Sequence, residues 1–260
     1  MTSTAPFPLW LDHASIAVPD LPDAVEHLDA KLGLAATVSP AAPERHSRVY
    51  LDRTYLEVSA DAGRVGWQAT TCFLRFADPD ALRAHLDATG LTYTFGVWEG
   101  VDGTWDDVEV RSGDVRLPTL VRRTAPTDIA RDWPPRLSGS HRCGARSLMA
   151  VHLEVPSPDA VTRAFSTLLG KTFAPPTAGA AVRVPLASGA LVLRQGAVDR
   201  IAGIVLGVGS LVETRRVLPL GPTEDGVVWL EGDAARGLRL GFTERTSADP
   251  AGNGTAASSA

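Results

Sequence analysis

The chain has 260 residues, Lys+Arg 25 against Asp+Glu 30, a formal net charge of -5 and 44% hydrophobic residues, which describes a globular chain of one large or two small domains. Its acidic balance provides no broad basic field for a phosphate backbone, which excludes nucleic acid as a partner; its longest apolar runs, such as Ile201 to Val208, are far shorter than the roughly 20 residues of a membrane-crossing helix. Met1 to Pro8 has no cationic start followed by an apolar core, so the expectation is a cytoplasmic protein with no membrane span.

Leu11 to Val18 is short, rich in β-formers and partly alternating, which predicts a strand. Asp20 follows as a helix N-cap. Ala24, Val25, Leu28 and Leu32 then form one apolar stripe, and Gly33 stands where a helix end favours positive φ. Arg48 to Leu51 and Thr54 to Ser59, joined by Asp52-Arg53, predict a hairpin. This opening stretch therefore reads β-α-β-β-β. The order restarts with a strand at Thr70, a cap at Asp78-Pro79, a helix from Asp80 to Ala88 and Gly90. Setting Asp20 over Asp78 lays His27-Leu28-Asp29-Ala30 on His85-Leu86-Asp87-Ala88 without a gap, the mark of an internal repeat. Strands at Thr92 to Trp98, Val108 to Val110 and Leu117 to Arg122 complete the second unit.

A third unit starts with a strand at Leu148, a cap at Ser157 and a helix ending at Gly170. The fourth has strands at Ile201 to Val208, Val227 to Leu230 and Leu238 to Thr243, with a short helix from Leu211 to Leu218. The domains expected are 9–124 and 148–245, each of two units and the second degenerate, between a flexible start (1–8), a linker (125–147) rich in Pro, Arg, Ser and Gly, and a disordered tail (246–260).

The run L-D-H-A-S-I-A-V-P-D-L, the helix closed by L-G and the strand Y-L-E-V resemble the opening module of the vicinal oxygen chelate (VOC) superfamily, and within it the glyoxalase-like domain proteins. As a pattern, the resemblance runs from Leu11 to Glu244. It implies an α+β fold in which four βαβββ modules form two cup-shaped half-barrel domains, usually with a divalent metal at the floor of a cup. In that family the strand positions of His13 and Glu57 hold the module's metal ligands.

The residues carry part of this chemistry by themselves. Strand side chains alternate, so His13 and Ser15 share one face and Tyr55 and Glu57 another. If both faces are concave, an imidazole and a carboxylate converge into half a site for Zn, Mn, Fe or Ni, at about 2.0–2.2 Å. Cys72 and Cys143, the only cysteines, form neither a disulfide framework nor a thiolate site, and no organic cofactor is indicated. The other modules depart from the pattern. Thr71 stands at the His13 position of the second, whose last strand has no carboxylate; Ala150 and Leu193 take the two positions in the third, and Gly241 the last one in the fourth. The second cup is accordingly expected to be metal-free, with His152 and Glu154 as a structural pair.

A salt bridge from Glu57 to Arg75 is the competing use of that carboxylate, because Thr71, Phe73 and Arg75 form one strand face; Arg75 would otherwise grip a substrate carboxylate or phosphate. His46 precedes the hairpin as a remote third ligand or general base. Trp98 and Trp105 flank the acidic stretch E-G-V-D-G-T-W-D-D, a lid or an exposed hairpin. The substrate-binding candidates are Tyr55, Thr71, Phe73, Arg75 and Trp98.

The expected function is that of a divalent-metal-dependent small-molecule enzyme of lyase, isomerase or dioxygenase type, in which the metal chelates adjacent substrate oxygens and stabilises an oxyanion. The alternative is a metal-free small-molecule binding or drug-sequestering protein of the same fold, favoured by the missing ligand positions and by aromatic lining from Tyr55, Trp98 and Trp105. Half-barrel edge strands also suit a homodimer.

Overall fold

A computed structural model describes residues 8–38, 45–100, 103–124, 141–173 and 180–245. The expected flexible start up to residue 7, the linker up to residue 140 and the tail from residue 246 lie outside the described residues. The first module comprises β1 (Trp10–Val18), α1 (Leu21–Ala30), β2 (Thr37–Val38), β3 (His46–Leu51) and β4 (Thr54–Ala60). The second comprises β5 (Gln68–Arg75), α2 (Pro79–Thr89), β6 (Thr92–Gly100), β7 (Gly103–Ser112), β8 (Val115–Arg116) and β9 (Thr119–Thr124). In the third are β10 (Ala145–Val155), α3 (Pro158–Leu169), β11 (Val182–Pro185) and β12 (Ala190–Gln195). The fourth has β13 (Arg200–Val208), α4 (Leu211–Val217), β14 (Leu220–Glu224), β15 (Val227–Leu230) and β16 (Leu240–Glu244).

The modules pair into two open mixed sheets, one ordered β2-β3-β4-β1-β5-β9-β7-β6 with β8 on β7, the other β11-β12-β10-β13-β16-β15-β14. Within each module the first and last strands run parallel, and the two first strands of each sheet meet antiparallel at its centre. A single rule of pairing is thus repeated four times, as the sequence repeat requires.

Caps start the helices where the repeat places them. The side chains of Asp20, Asp78, Ser157 and Ser210 each accept a backbone N–H from the first turn, which satisfies donors that have no helical partner. Gly90 (φ 71°) and Gly170 (φ 58°) end α2 and α3 in the left-handed region. The first helix differs: α1 stops at Ala30 on a right-handed Lys31, and Gly33 follows beyond it.

One face of each sheet is apolar. Ala14, Ile16, Val18, Leu56 and Leu74 from the first sheet join Val151, Leu191, Leu193, Ile204 and Leu206 from the second, with the helices, in one continuous core. Burying each such side chain contributes about 1.5–3 kcal/mol. Because both sheets spend their helix-bearing face on this core, each keeps its other face for a cup. Bonds across the seam fix the halves: the Ala187 N–H donates to Leu9 O at 2.7 Å, and the Leu148 N–H to Thr54 Oγ1 at 3.1 Å. His27 and His85, on the repeated helices, donate Nε2–H to Ala234 O at 2.6 Å and Thr167 O at 3.1 Å, bridging to the other half. His141 accepts the Ala35 N–H at Nδ1 and donates Nε2–H to Tyr50 O, and burial holds its pKa below the ordinary histidine value.

Candidate functional site: the cup of the N-terminal sheet

Side chains facing away from the core on β1, β3, β4 and β5 build the first cup. His13 lies opposite Tyr55 on one neighbouring strand and opposite Phe73 on the other. The imidazole is therefore sandwiched, with ring centroids 4.3 Å from Tyr55 at 11° and 4.1 Å from Phe73 at 15°. A β-bulge at Asp12 sets two residues of β1 against one of β5. That irregularity lets Asp12 reach the ring of its own neighbour: the carboxylate lies 2.7 Å from His13 Nδ1. In a neutral imidazole whose Nδ1–H faces this carboxylate, Nε2 carries the lone pair.

Glu57 sits one step along the same face, but its partner is Arg48 of β3. The two are cross-strand neighbours, and Arg48 Nη2 lies 3.8 Å from Glu57 Oε2. The Arg48 guanidinium also rests over the Tyr55 ring, 5.4 Å from its centroid. Four groups from four adjacent strands, Phe73, His13, Tyr55 and Arg48, thus form one stack. Arg75 does not pair with Glu57. It lies over Trp10 at 5.3 Å, and burial lowers its pKa while nearby Asp12 opposes the shift. Burial, then Asp12 and Glu57, push the Tyr55 hydroxyl well above its ordinary pKa, so it stays a neutral phenol. Cys72 is driven up to about 12 by burial, so its thiol is inert.

The stretch read as a lid or an exposed hairpin is a hairpin, strand on both sides of its tip. Trp98 and Trp105 face each other across β6 and β7, with residues 101–102 outside the described residues. Trp105 is buried under Arg123, whose guanidinium is 5.2 Å from the indole, whereas Trp98 is 57% exposed and extends the wall of the cup. His46 belongs to β3 and bonds Ser59 at 3.0 Å. Tyr55, Thr71, Phe73, Arg75 and Trp98 all lie on strands with their side chains toward this cup, together with His13 and Glu57. Sequence reasoning missed Arg48 and Asp12. A two-residue turn at Asp52-Arg53 pairs Leu51 with Thr54 and so, counting outward, Arg48 with Glu57; that count would have found the first.

The fourfold repeat permits a comparison of equivalent positions. Five residues before each N-cap, Ser15, Phe73, His152 and Val205 pair with Glu57, Thr119, Val192 and Gly241 on the last strand of their modules. The counterpart of Glu57 in the third module is therefore Val192, not Leu193, which points into the core. Seven residues before each cap stand His13, Thr71, Ala150 and Gly203. The first cup thus holds His13, Glu57, Thr71 and Thr119 at these positions, and the second Ala150, Val192, Gly203 and Gly241.

In the second cup the vacated volume is filled by Trp229. It packs with Ala150, Val192 and Val205, and its ring lies so close to the two glycines that a Cβ would stand 3.1 Å from it at Gly203 and 2.8 Å at Gly241. Arg239 covers the indole at 4.1 Å. His152 meets Trp229 edge-on rather than pairing with Glu154, whose carboxylate is bonded to Arg200. Its pKa falls to about 4 through burial, then the charges of Arg194, Arg239 and Arg183, against an opposing Asp225.

These module-by-module features agree with a glyoxalase-like domain model, which matches residues 11–169. The chain belongs to the glyoxalase-like domain family. No curated protein matches this glyoxalase-like chain. Among solved structures, homoprotocatechuate 2,3-dioxygenase from Arthrobacter globiformis is 14% identical with a TM-score of 0.64, covering 94% of this chain and 82% of that one. The Mn(II)-bound glyoxalase from Novosphingobium aromaticivorans is 13% identical with a TM-score of 0.62, covering 92% and 83%. A hypothetical protein from Staphylococcus aureus is 9% identical with a TM-score of 0.60, covering 91% and 99%. At these identities the likeness establishes the two-domain VOC fold. No helix among the described residues is long and apolar enough to cross a membrane.

Proposed function

We propose that this glyoxalase-like protein binds a small organic molecule in its N-terminal cup, and that the cup works without a resident metal. The observation that carries this is the donor set at the four equivalent positions. Two are threonines, Thr71 and Thr119, and the two stronger donors already serve protein partners, His13 held at Nδ1 by Asp12 and Glu57 facing Arg48. Among the described residues there is no group of three or more His, Cys, Asp or Glu placed to hold a metal ion, whereas a protein zinc site takes three or four such ligands. The divalent metal implied by the superfamily therefore does not fit these residues, and no chemical step is routed through one. What the cup offers instead is a floor made of the edges of three stacked rings, Phe73 and Tyr55 on either side of His13, with guanidinium groups at its margins and the Trp98–Trp105 hairpin as a wall. Such a lining, apolar with a few polar groups at its rim, suits a small organic ligand.

A second reading, a divalent-metal enzyme of lyase, isomerase or dioxygenase type, has one specific observation in its favour. Asp12 leaves the Nε2 lone pair of His13 available, and a carboxylate on Nδ1 is how metal-ligating histidines are usually oriented. Elemental analysis by ICP-MS of protein purified without chelator or nickel, beside a His13→Ala/Glu57→Ala double variant, separates the two. The metal-free reading expects no stoichiometric transition metal in either sample, before or after reconstitution. About one equivalent, lost in the variant, would establish the second reading.

A further inference from the structure

We propose that the rim of the second cup is an oxyanion-binding site, in which Arg183 and Arg194 on one side and Arg239 on the other receive a carboxylate or phosphate group of a small molecule. This site is separate from the N-terminal cup and independent of what that cup binds.

Strand register places these groups. Arg183 lies opposite Val192, and Val192 opposite His152, in one cross-strand row. The next row on the same face runs from Arg194 through Glu154 to Arg200. Val182, Val184, Leu191 and Leu193 are turned into the core, so Arg183 and Arg194 face the cup, where they are diagonal neighbours on the edge strand β11 and on β12 beside it. Arg239 comes from the other side of the cup, over Trp229 at 4.1 Å. All three guanidiniums act on the His152 imidazole, and Arg194 and Arg239 act on Glu154 as well, so their charges surround one point. Trp229 fills the floor beneath, over Gly203 and Gly241. The ligand's charged group therefore lies at the rim and not where the resembled family holds its metal.

The protein's own carboxylates leave these cations partly unused. Glu154 is bonded to Arg200 at 2.5 Å, Glu224 to Arg239 at 2.8 Å and Asp225 to Arg194 at 3.1 Å. Arg183 is exposed and has no hydrogen bond or ion pair to any described residue. Arg194 gives Asp225 one donor, Nη2, while its Nε–H is buried with no acceptor among the described residues. Asp225 is also a replaceable partner. It stands in the turn between β14 and β15 with its side chain 81% exposed, and a surface pair of that kind holds weakly against a competing anion. Arg183 and Arg194 thus place two like charges together with one exposed countercharge, an arrangement that costs energy until an anion joins it. Guanidiniums are planar and permanently charged, which suits them to the paired oxygens of a carboxylate or phosphate.

The test uses the full chain with inorganic phosphate and acetate as the two oxyanion probes, and chloride at matched ionic strength as the control anion. Binding is read by titration calorimetry and by the NMR signals of the His152 ring, assigned through their loss in His152→Gln. The informative variant is Arg183→Gln/Arg194→Gln, with circular dichroism verifying its fold; Arg183→Gln alone breaks no contact within the described residues and serves if the double variant does not fold. Arg163→Gln, on the exposed side of α3, removes one positive charge elsewhere. Phosphate or acetate is expected to bind the wild type and Arg163→Gln alike and to move the His152 signals. It should bind the double variant at least about tenfold more weakly, and Arg183→Gln at least about threefold. A preference for phosphate assigns a phosphate ester to the site, and a preference for acetate a carboxylate. Chloride binding as well as either probe, affinity unchanged in the variants, saturation without movement of the His152 signals, or no saturable binding at millimolar concentration would each overturn the proposal.

Discussion

Acid should weaken the protein through His152, and the size of the effect follows from its surroundings. The imidazole is 8% exposed, edge-on to Trp229, with burial and the guanidiniums of Arg194, Arg239 and Arg183 lowering its pKa to about 4 and Asp225 opposing them. In the unfolded chain the same group titrates near about 6.5. Above that pH it is neutral in both states and imposes no penalty. As pH falls from about 6.5 toward 4, the unfolded chain takes up the proton and the native state does not, so stability is lost across this window and the loss levels off below it. The full difference corresponds to about 3 kcal/mol at about 1.4 kcal/mol per pH unit. Arg194 and Arg239 are partly exposed and paired with Asp225 and Glu224, so screening reduces the observable part to about 2 kcal/mol. Urea denaturation of the wild type and of His152→Gln at several pH values between about 7.5 and 4.5 measures it. The wild type should lose about 2 kcal/mol more than the variant; the slope that remains in the variant contains His141, which burial shifts in the same direction. Parallel pH profiles for the two proteins would refute the reasoning.

Two further outcomes follow from the equivalent positions. Gly241→Ala places a Cβ 2.5 Å from Val227 Cγ1 and 2.8 Å from Trp229 Cε3, an overpacking expected to cost about 1–3 kcal/mol. In a Trp229→Ala background that cost should shrink by about 1 kcal/mol in a double-mutant cycle, and full additivity would mean the indole does not fill the cup. In the first cup, T71H/T119E combined with R48M supplies four donors with His13 and Glu57 and removes the competing guanidinium. Equilibrium dialysis should show one Zn(II) bound by this variant and none by the wild type; no binding by either would mean the four positions do not converge.

How much of this was legible beforehand depended on the range of the interaction. The repeat carried the fold, because Asp20, Asp78 and Ser157 are local signals: a cap, an apolar stripe and a glycine stop each act within a few residues, and their fixed distance from the preceding strand places His13 and its counterparts. The two-sheet VOC architecture follows from repeating that unit four times. Facing residues were harder. A one-residue slip in register turns a side chain to the other face, which is why the third-module counterpart of Glu57 is Val192 rather than its neighbour Leu193. The bulge at Asp12 leaves no periodic signal, yet it gives His13 its partner.

By itself, then, the amino-acid sequence determined the modules, their order and which strands carry His13 and Glu57, because caps and periodicity are properties of neighbouring residues. Tertiary structure alone decided that Arg48 rather than Arg75 faces Glu57, that Phe73 and Tyr55 enclose His13, and that Trp229 occupies the space over Gly203 and Gly241. Each of those contacts joins residues on different strands, and the side chain found opposite another is set by strand register and sheet curvature, which depend on the packing of the whole core.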